Sequence, residues 1–351
     1  MLKALVLTTI LLFAVVIVGA STPLDAALVQ VARNRTVLMT SCNYGYLNHV
    51  HNFKCYLDRL GLRALLVSTD ERAHEAAQRS FGSTLVSVSL ANATLLGSMP
   101  TRRIKGDDAQ RTHQIRSSPQ SALVAEEGAV EYHTHGFHVV TVRKIEAVIQ
   151  VLQRGYDVLF IDADVALLRD PWQHLPPSAA DYVFSSNKVC PASSGGPFDF
   201  ANPQDEGNTG FFFVRATPGA IALLNATVAA APSFPGLDDQ SIFWRVARST
   251  KTVTVAPMTS CSSPRPLLAS PASAVPQVAL CPLDECVFSV GALRGAAFAA
   301  LQAELARRGA SAVSLHANWI KGNAAKAAAL AARGLWLAQP EGRCAPLTVP
   351  F

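Results

Sequence analysis

The sequence predicts an α/β protein with a mostly parallel sheet flanked by helices. Three neighbouring segments carry this prediction. Thr36–Ser41 is a short apolar run typical of a buried strand, His49–Leu60 has apolar residues at near-helical spacing before Gly61, and Ala64–Ser68 is a second apolar run. A strand, a helix and a strand joined by short connections predict parallel strands, with ligands outside the strands' carboxyl ends.

The next elements extend the same pattern. Val139–Leu152 predicts an amphipathic helix, Gly155 ends it, and Asp157–Ile161 predicts a central buried strand. The chain has 351 residues, of which 50% are hydrophobic, enough for one large domain with a sizeable core. Its net charge of +5 is spread without a long basic block. We therefore expect no nucleic-acid partner.

The N-terminal segment Ala4–Ala20 is apolar and uncharged over roughly 17 residues, between the length of a signal-peptide core and that of a membrane span. Lys3 favours a retained signal-anchor with residues 1–3 as a cytoplasmic tail. The small residues at 18–20 would instead suit cleavage of a signal peptide. Either interpretation sends the chain into the secretory pathway, with residues 21–34 as a stem.

Glycosylation triplets agree with a lumenal address. Asn34, Asn92 and Asn225 each begin an Asn-X-Thr sequence without a middle proline. Such triplets also occur by chance, so each adds only a little support to the secretory interpretation.

The cysteines favour disulfides over a zinc site. Cys281 is expected to pair with Cys286 or with Cys261. The seven cysteines lack paired CxxC spacing, and their odd number predicts one free thiol. They are Cys42, Cys55, Cys190, Cys261, Cys281, Cys286 and Cys344.

An acidic pair follows the central strand directly. Asp162 and Asp164 lie one residue apart, just past the carboxyl end of Asp157–Ile161. Two such carboxylates can converge on one hard divalent cation, and that cation can bind a diphosphate. A solvated acidic turn is the alternative for an isolated triplet, and the surrounding sequence decides against it.

The sequence around this pair resembles a known family. The matching motifs, with Lys144 before them, are GYDVLFIDADV at 155–165, LRDPW at 168–172, NTGFF at 208–212, DDQ at 238–240 and HANWIKG at 316–322. Spread over roughly residues 36–330, they resemble the nucleotide-diphospho-sugar transferase domain of glycosyltransferase family 77. Its plant and algal members are retaining Golgi arabinosyl-, xylosyl- and galactosyltransferase-like enzymes acting on cell-wall glycans and hydroxyproline-rich glycoproteins.

The resemblance implies a GT-A-type, Rossmann-like domain over residues 35–340 with a C-terminal tail at 341–351. It also implies Mn²⁺ (or Mg²⁺) held by Asp162, Asp164 and His316 on the diphosphate of the donor. An apolar run before the histidine would bring it to the strand-end face, and imidazole suits manganese. An ordinary surface or core histidine is the alternative.

Two catalytic residues follow from the same resemblance. Lys144 is expected to neutralise the donor phosphates or to reach the sugar, with a solvated helix lysine as the alternative. Arg143 beside it points about 100° away around the helix. Asp238 and Asp239 open a helix, where one aspartate is expected to cap and the other to be functional. The resemblance places Asp239 beside the anomeric centre, with Gln240 supporting it.

The remaining donor-binding candidates lie near strand ends. Three of them precede an apolar strand, where a simple turn is an equally good explanation. Three others would contact the nucleoside by position alone, and a glycine belongs to the last motif. The candidates are Asn208, Thr209 and Gly210; Thr40, Asn43 and Asp70; and Gly322.

The sequence thus predicts a retaining glycosyltransferase that moves arabinose, xylose or galactose from a UDP-sugar to a glycan or glycoprotein. It is expected in the Golgi membrane as a single-pass type II protein with a lumenal domain, or secreted. One alternative is a metal-dependent phosphohydrolase, although its acidic motif would lie near the domain start with a Thr following closely, whereas Val165 and Ala166 follow here. The other is a catalytically silent carbohydrate-binding protein of the same fold.

Overall fold

The computed structural model describes residues 22–90, 135–175, 180–190, 198–255 and 277–349. The strands are β1 Thr36–Cys42, β2 Ala64–Ser68, β3 Leu85–Ser89, β4 Asp157–Ile161, β5 Val165–Leu167, β6 Tyr182–Ser186, β7 Gly207–Val214, β8 Val253–Val255, β9 Val278–Leu283, β10 Phe288–Val290 and β11 Ser314–His316. The α-helices are α1 Pro23–Val31, α2 Leu47–Leu60, α3 Glu71–Ser80, α4 His135–Gln153, α5 Pro218–Ala230, α6 Asp239–Ser249, α7 Ala297–Arg308 and α8 Asn323–Ala331.

The main sheet has the strand order β3–β2–β1–β4–β7–β6–β9–β8. Its neighbours pair in parallel except at β7, which runs antiparallel to both β4 and β6. The predicted mostly parallel α/β sheet is therefore confirmed. Because β7 runs in the opposite direction, its first residues lie at the edge where the other strands end, and the Asp162 N–H donates to the Gly210 carbonyl at 2.8 Å.

A small second sheet has the order β10–β11–β5. Strand β11 runs parallel to β10 and antiparallel to β5, which starts directly after the acidic pair. The register places His316 opposite Val165. A histidine far along the chain is thereby fixed beside residues 162–164.

Two buried clusters cover the two faces of the main sheet, and β1 shows the alternation. Leu38 belongs to the cluster that contains α2, α3, α7, α8 and the small sheet. Val37 and Met39 belong to the cluster that contains α1, α4, α5 and α6. Strands covered on both faces are apolar throughout, which is why they were recognisable as continuous runs.

The packed domain is larger than the predicted 35–340 at both ends. Helix α1 lies within the stretch expected to be a stem, yet Ala27 and Leu28 are buried against the sheet. At the other end, a disulfide joins Cys344 to Cys55 across 289 residues. Helix α1 and the segment that contains Cys344 are therefore part of the folded unit.

The other cysteines correct one predicted pairing. Cys190 pairs with Cys286, so the pairing of Cys281 with Cys286 was wrong. Cys281 is itself disulfide-bonded, and its other predicted partner, Cys261, lies outside the described residues. Cys42 is a buried free thiol, in line with the odd cysteine count.

Within the described ranges, the helices are all too short or too polar to span a membrane. The predicted anchor Ala4–Ala20 and the Asn92 triplet lie outside the described residues. Asn34 is exposed in a turn. In the Asn225 triplet, Thr227 is buried within α5 and donates its hydroxyl to a carbonyl of the same helix, which is a poor setting for glycosylation.

Candidate active site

Three predicted metal ligands meet at the carboxyl edge of the main sheet. Asp162 and Asp164 follow β4, and His316 ends β11. The Nε2 atom of His316 lies 3.1 Å from Oδ1 of Asp164 and 3.9 Å from Oδ2 of Asp162. One ligand atom from each residue lies within 4.8 Å of the other two. The structure therefore brings together residues from two distant parts of the chain.

The chemistry and shape of this cluster fit a divalent cation. Two carboxylates and an imidazole are a mixed oxygen and nitrogen set that suits Mn²⁺ or Mg²⁺. The side chain of Asp162 is 32% exposed, against 7% for Asp164 and 6% for His316, so the cluster opens on the Asp162 side. A Cβ on Gly210 would lie 2.5 Å from Oδ2 of Asp162 and against the His316 ring. Glycine at 210 thus leaves the space between the ligands free.

Asn208 fixes the tautomer of His316. Its Oδ1 atom accepts a hydrogen bond from the Gly210 N–H at 2.9 Å, which assigns the orientation of the amide. The same Oδ1 lies 3.0 Å from Nδ1 of His316. Because an amide oxygen only accepts, Nδ1 carries a proton, and Nε2 is the nitrogen that faces the carboxylates, donating to Asp164 when it is protonated and free to bind a cation when it is not. A metal-binding histidine needs this arrangement.

Lys326 is a site residue that the sequence analysis did not assign. Its Nζ atom lies 2.7 Å from Oδ2 of Asp164. Burial alone would raise the pKa of Asp164, but Lys326 and His316 more than offset it and hold that pKa well below its usual 3.8. The available signal was its position four residues after Gly322, one helical turn from the start of α8.

Position 322 requires glycine because of its backbone conformation, and not because a side chain would clash there. It precedes α8 with a φ of +87°, and a Cβ built on it would meet nothing within 4 Å. Its carbonyl accepts from the Lys326 N–H at 3.1 Å. This glycine therefore starts the helix that carries Lys326 to the cluster.

A buried ion pair lies on the other side of Asp162. The Nζ atom of Lys144, on α4, lies 2.7 Å from Oδ2 of Asp239 and 3.9 Å from Oδ1 of Asp162, and donates to the Thr209 carbonyl at 3.1 Å. Lys144 is 6% exposed and Asp239 3%. A separation of 2.7 Å between an ammonium and a carboxylate oxygen is typical of a charge-assisted contact.

Burial dominates the electrostatics of Asp239. It raises the pKa of this carboxyl from 3.8 to about 6, because Lys144 offsets only part of the desolvation and Asp238 and Asp162 add repulsion. Burial would lower the pKa of Lys144, but attraction by Asp162 and Asp239 outweighs it and raises that pKa. Asp239 is therefore a carboxyl that can gain or lose a proton close to neutral pH.

The two neighbouring aspartates at the start of α6, Asp238 and Asp239, make different contacts. Asp238 is the N-cap, and its Oδ1 accepts from the Ser241 N–H at 2.8 Å. Asp239 instead points at Lys144. Arg143, next to Lys144 in sequence, is half-exposed, whereas Lys144 is buried.

Gln240, on the first turn of α6, joins this helix to the start of β7. Its Oε1 accepts from Nδ2 of Asn208 at 3.3 Å and from the Thr209 N–H at 3.4 Å, while its Nε2 donates to Glu206 at 3.1 Å. The sequence suggested that Asn208–Gly210 precede the strand, but the structure places them inside β7. Because β7 is antiparallel to β4, these residues still lie at the edge of the sheet that carries Asp162 and Asp164.

The predicted nucleoside contacts are less open than expected. Thr40 is fully buried because β1 continues beyond it to residue 42, so it offers no surface to a ligand. Asn43 is only 1% exposed. The two oxygens of Asp70 accept from the N–H groups of Ala73 at 2.7 Å and Tyr44 at 2.8 Å, so this residue caps α3 and holds the loop after β1.

Comparison with protein families decides the assignment. The profile of the nucleotide-diphospho-sugar transferase family matches residues 109–330, more than half of the chain, and the match contains the three clustered ligands. The chain belongs to the nucleotide-diphospho-sugar transferase family. The resemblance carried by the motifs is thereby confirmed, and the chain has a glycosyltransferase-family domain.

Two curated relatives of this transferase-family chain are glycosyltransferases. The UDP-galactose:fucoside alpha-3-galactosyltransferase of Dictyostelium discoideum is 23% identical over 60% of this chain and 31% of its own length. The UDP-D-xylose:L-fucose alpha-1,3-D-xylosyltransferase MGP4 of Arabidopsis thaliana is 23% identical over 57% of this chain and 48% of its own. The chain thus matches less than half the length of each relative.

A solved structure, the glycosyltransferase GlyE of Streptococcus pneumoniae TIGR4, is 12% identical with a TM-score of 0.42, covering 81% of the transferase-family chain and 54% of its own. That likeness is too low to carry an argument.

Proposed function

We propose that this chain is a metal-dependent retaining glycosyltransferase that moves a sugar from a UDP-sugar to a hydroxyl group of a glycan or glycoprotein. The observation that carries the proposal is the convergence of Asp162, Asp164 and His316 in a chain of this transferase family. They converge at the edge of the sheet where α/β proteins bind their ligands. A GT-A-type architecture is part of the proposal.

Asp162, Asp164 and His316 would hold Mn²⁺ or Mg²⁺, and the bound cation would stabilise negative charge on the departing diphosphate. Asp162 is the most exposed of the three ligands, so the diphosphate is expected on its side. Lys326 and Lys144 flank the cluster, with Nζ atoms 2.7 Å from Asp164 and 3.9 Å from Asp162. Two ammonium groups beside the ligands match the charge of a diphosphate.

In the proposed transfer, the bond between the anomeric carbon and the β-phosphate oxygen breaks, and its electron pair leaves with UDP. The acceptor oxygen bonds to the anomeric carbon and releases its proton. Asp239 and Lys144 are the proposed catalytic residues: a carboxyl with a pKa of about 6 can take a proton or carry charge beside an oxocarbenium-like carbon. Retention is compatible with same-face attack or with a covalent intermediate.

The donor sugar is proposed to lie against neutral polar groups near the ion pair. Asn208, Thr209 and Gln240 supply amides and a hydroxyl, Gly210 supplies backbone close to the metal ligands, and Gly322 starts the helix that carries Lys326. Both curated relatives are named for UDP-sugars and fucose-containing acceptors. We therefore place UDP-galactose and UDP-xylose ahead of UDP-arabinose as donors, with fucosides as first acceptors.

The cellular setting is also a proposal. A lumenal domain in the Golgi, anchored through residues 4–20 as a type II protein, agrees with the disulfides Cys55–Cys344 and Cys190–Cys286, which require an oxidising compartment. Secretion after cleavage of the same segment is the alternative.

The test is UDP release by the full chain made in a secretory host. We expect turnover of one UDP-sugar with Mn²⁺, its loss with EDTA, and a fall of about 10³-fold in Asp164→Asn. Asp58→Asn removes a surface carboxylate far from the ligands and serves as the matched control. Phosphate release from simple esters would point to a phosphohydrolase, and donor binding without turnover to a silent sugar-binding protein; either result would overturn the proposal.

A further inference from the structure

One tryptophan on the loop after β11 is held in an unusual conformation. Trp319 follows the ligand His316 by three residues, has a φ of +60°, and is 40% exposed. Positive φ is costly for a bulky residue and persists where the surrounding structure enforces it. Such outliers concentrate at ligand-binding sites.

The surroundings that enforce this conformation are specific. The six-membered ring of Trp319 occupies the space that a Cβ on Gly291 would need, with Cη2 3.4 Å from that position. Asn318, 8% exposed, accepts from the Gly291 N–H at 2.6 Å and donates to Oδ1 of Asn187 at 3.3 Å. The indole is thus fixed on one side by backbone and left open on the other.

The position of the ring relates it to the metal ligands. Gly291 directly follows β10, whose last residue, Val290, pairs with His316. Three residues of chain span at most about 11 Å, so the Cα of Trp319 lies no farther than this from the Cα of His316.

The apolar surface at this place suits a small ligand better than a protein. Val29 and Trp319 are the two exposed large hydrophobic residues of the described part of the chain, and Val29 lies on α1, which packs on the opposite face of the sheet. A single ring without a surrounding apolar patch is too little for a stable protein interface. A flat ring beside the amides of Asn318 and Asn187 matches the apolar face and the hydroxyl groups of a sugar.

We propose that Trp319 is the stacking platform for the acceptor sugar, with Asn318 and Gly291 holding its ring beside the metal cluster. This inference rests on the proposed function, and it adds the residue that selects the acceptor. The platform acts on the acceptor alone. The donor and the metal are held by other residues, so their binding is independent of the indole.

Three variants of Trp319 separate the ring from the loop that carries it. Trp319→Phe keeps a flat apolar ring, Trp319→Ala removes it, and Trp319→Gly removes it while favouring the positive φ. For a fucoside acceptor, we expect KM to rise about tenfold in the alanine and glycine variants and to recover largely in the phenylalanine variant. UDP release without acceptor and Mn²⁺ affinity should stay within about twofold of the wild-type values.

Two outcomes would overturn the platform. An unchanged acceptor KM in Trp319→Gly would remove its role in acceptor binding. A parallel loss of acceptor-free UDP release would mean that Trp319 acts by positioning His316. Val29→Ser, which removes the other exposed apolar residue, is the control and should leave all three quantities unchanged.

A binding measurement keeps this test separate from that of the proposed function. Methyl α-L-fucoside should shift the tryptophan fluorescence of the wild type and of Trp336→Phe, a control that keeps Trp319. It should not shift the fluorescence of Trp319→Phe, because Trp319 is the one of the chain's four tryptophans that is proposed to contact the sugar. If no UDP-sugar is turned over, the proposed function fails while this shift still decides the platform. A shift that persists in Trp319→Phe would overturn it.

Discussion

Two lysine–aspartate pairs flank Asp162, and their environments affect the two carboxylates in opposite ways. Lys326–Asp164 and Lys144–Asp239 have the same separation of 2.7 Å. The pKa of Asp164 is held well below its usual value, whereas that of Asp239 is raised to about 6. Distance alone therefore does not decide the protonation of a buried carboxyl.

The difference lies in the number and sign of the surrounding groups. Asp164 has a second partner in His316, 3.1 Å away, besides its lysine. Asp239 shares its lysine with Asp162 and lies next to Asp238, so repulsion adds to desolvation. A permanently charged carboxylate suits a metal ligand, and one that titrates near neutral pH suits proton transfer.

Replacing each lysine should have the largest effect, and the loss of stability should differ between the two pairs. Lys144→Met leaves Asp239 buried without a cation, and we expect a loss of about 3–5 kcal/mol in the free energy of unfolding at pH 7. Lys326→Met leaves Asp164 its histidine partner, so about 2 kcal/mol is expected. Urea denaturation in EDTA measures both. Equal losses would contradict the assignment of two different environments.

The pH dependence of stability tests the raised pKa of Asp239, which distinguishes it from Asp164. The folded state holds the Asp239 proton more tightly than the unfolded state, because its pKa is about 6 against 3.8. Its contribution to stability is therefore present at low pH and is lost as pH rises from about 4 to 6, by about 3 kcal/mol. Asp239→Asn lacks this titration, so its stability relative to wild type should increase over that window.

Urea denaturation at pH 4, 5, 6 and 7 tests this expectation, with Asp58→Asn, a surface substitution outside this ion pair, as the control. The raised pKa of Lys144 shows that the ion pair is attractive, which acts in the opposite direction. Burial has the larger effect because both partners are almost fully enclosed. A relative stability of Asp239→Asn that falls with rising pH would show that attraction dominates.

The sequence predicted those parts of this site that depend on local pattern. Strand β4 has five residues, and Asp162 and Asp164 follow it directly in the sequence, so strand and acidic pair form one continuous stretch. His316 lies 152 residues from Asp164 and reaches it only through the pairing of β11 with β5, so its placement depended on family resemblance. Lys326 is 162 residues from its partner and was missed.

Strand direction and strand length account for the other differences. The apolar run Phe211–Val214 has the same pattern in either direction, so the sequence could not show that β7 is antiparallel or that Asn208 lies inside it. Thr40 was placed at a strand end because a polar Ser41 follows it, yet pairing with β2 continues to residue 42. Hydrogen bonds to a neighbouring strand, which the local sequence does not show, set both boundaries.

The smallest expected effect concerns Asn208, which touches the metal cluster only through His316. Asn208→Ala removes the acceptor of the Nδ1 proton, and we expect Mn²⁺ binding to weaken 10- to 100-fold, the range typical of such supporting hydrogen bonds. Asn208→Asp keeps an acceptor and should restore most of the affinity. Gln240→Ala removes a contact to Nδ2 of the same amide and should change affinity less than about threefold. Titration calorimetry with Mn²⁺ measures all three. Equal losses in Asn208→Ala and Gln240→Ala would mean that Asn208 acts by joining β7 to α6 and not by supporting the imidazole.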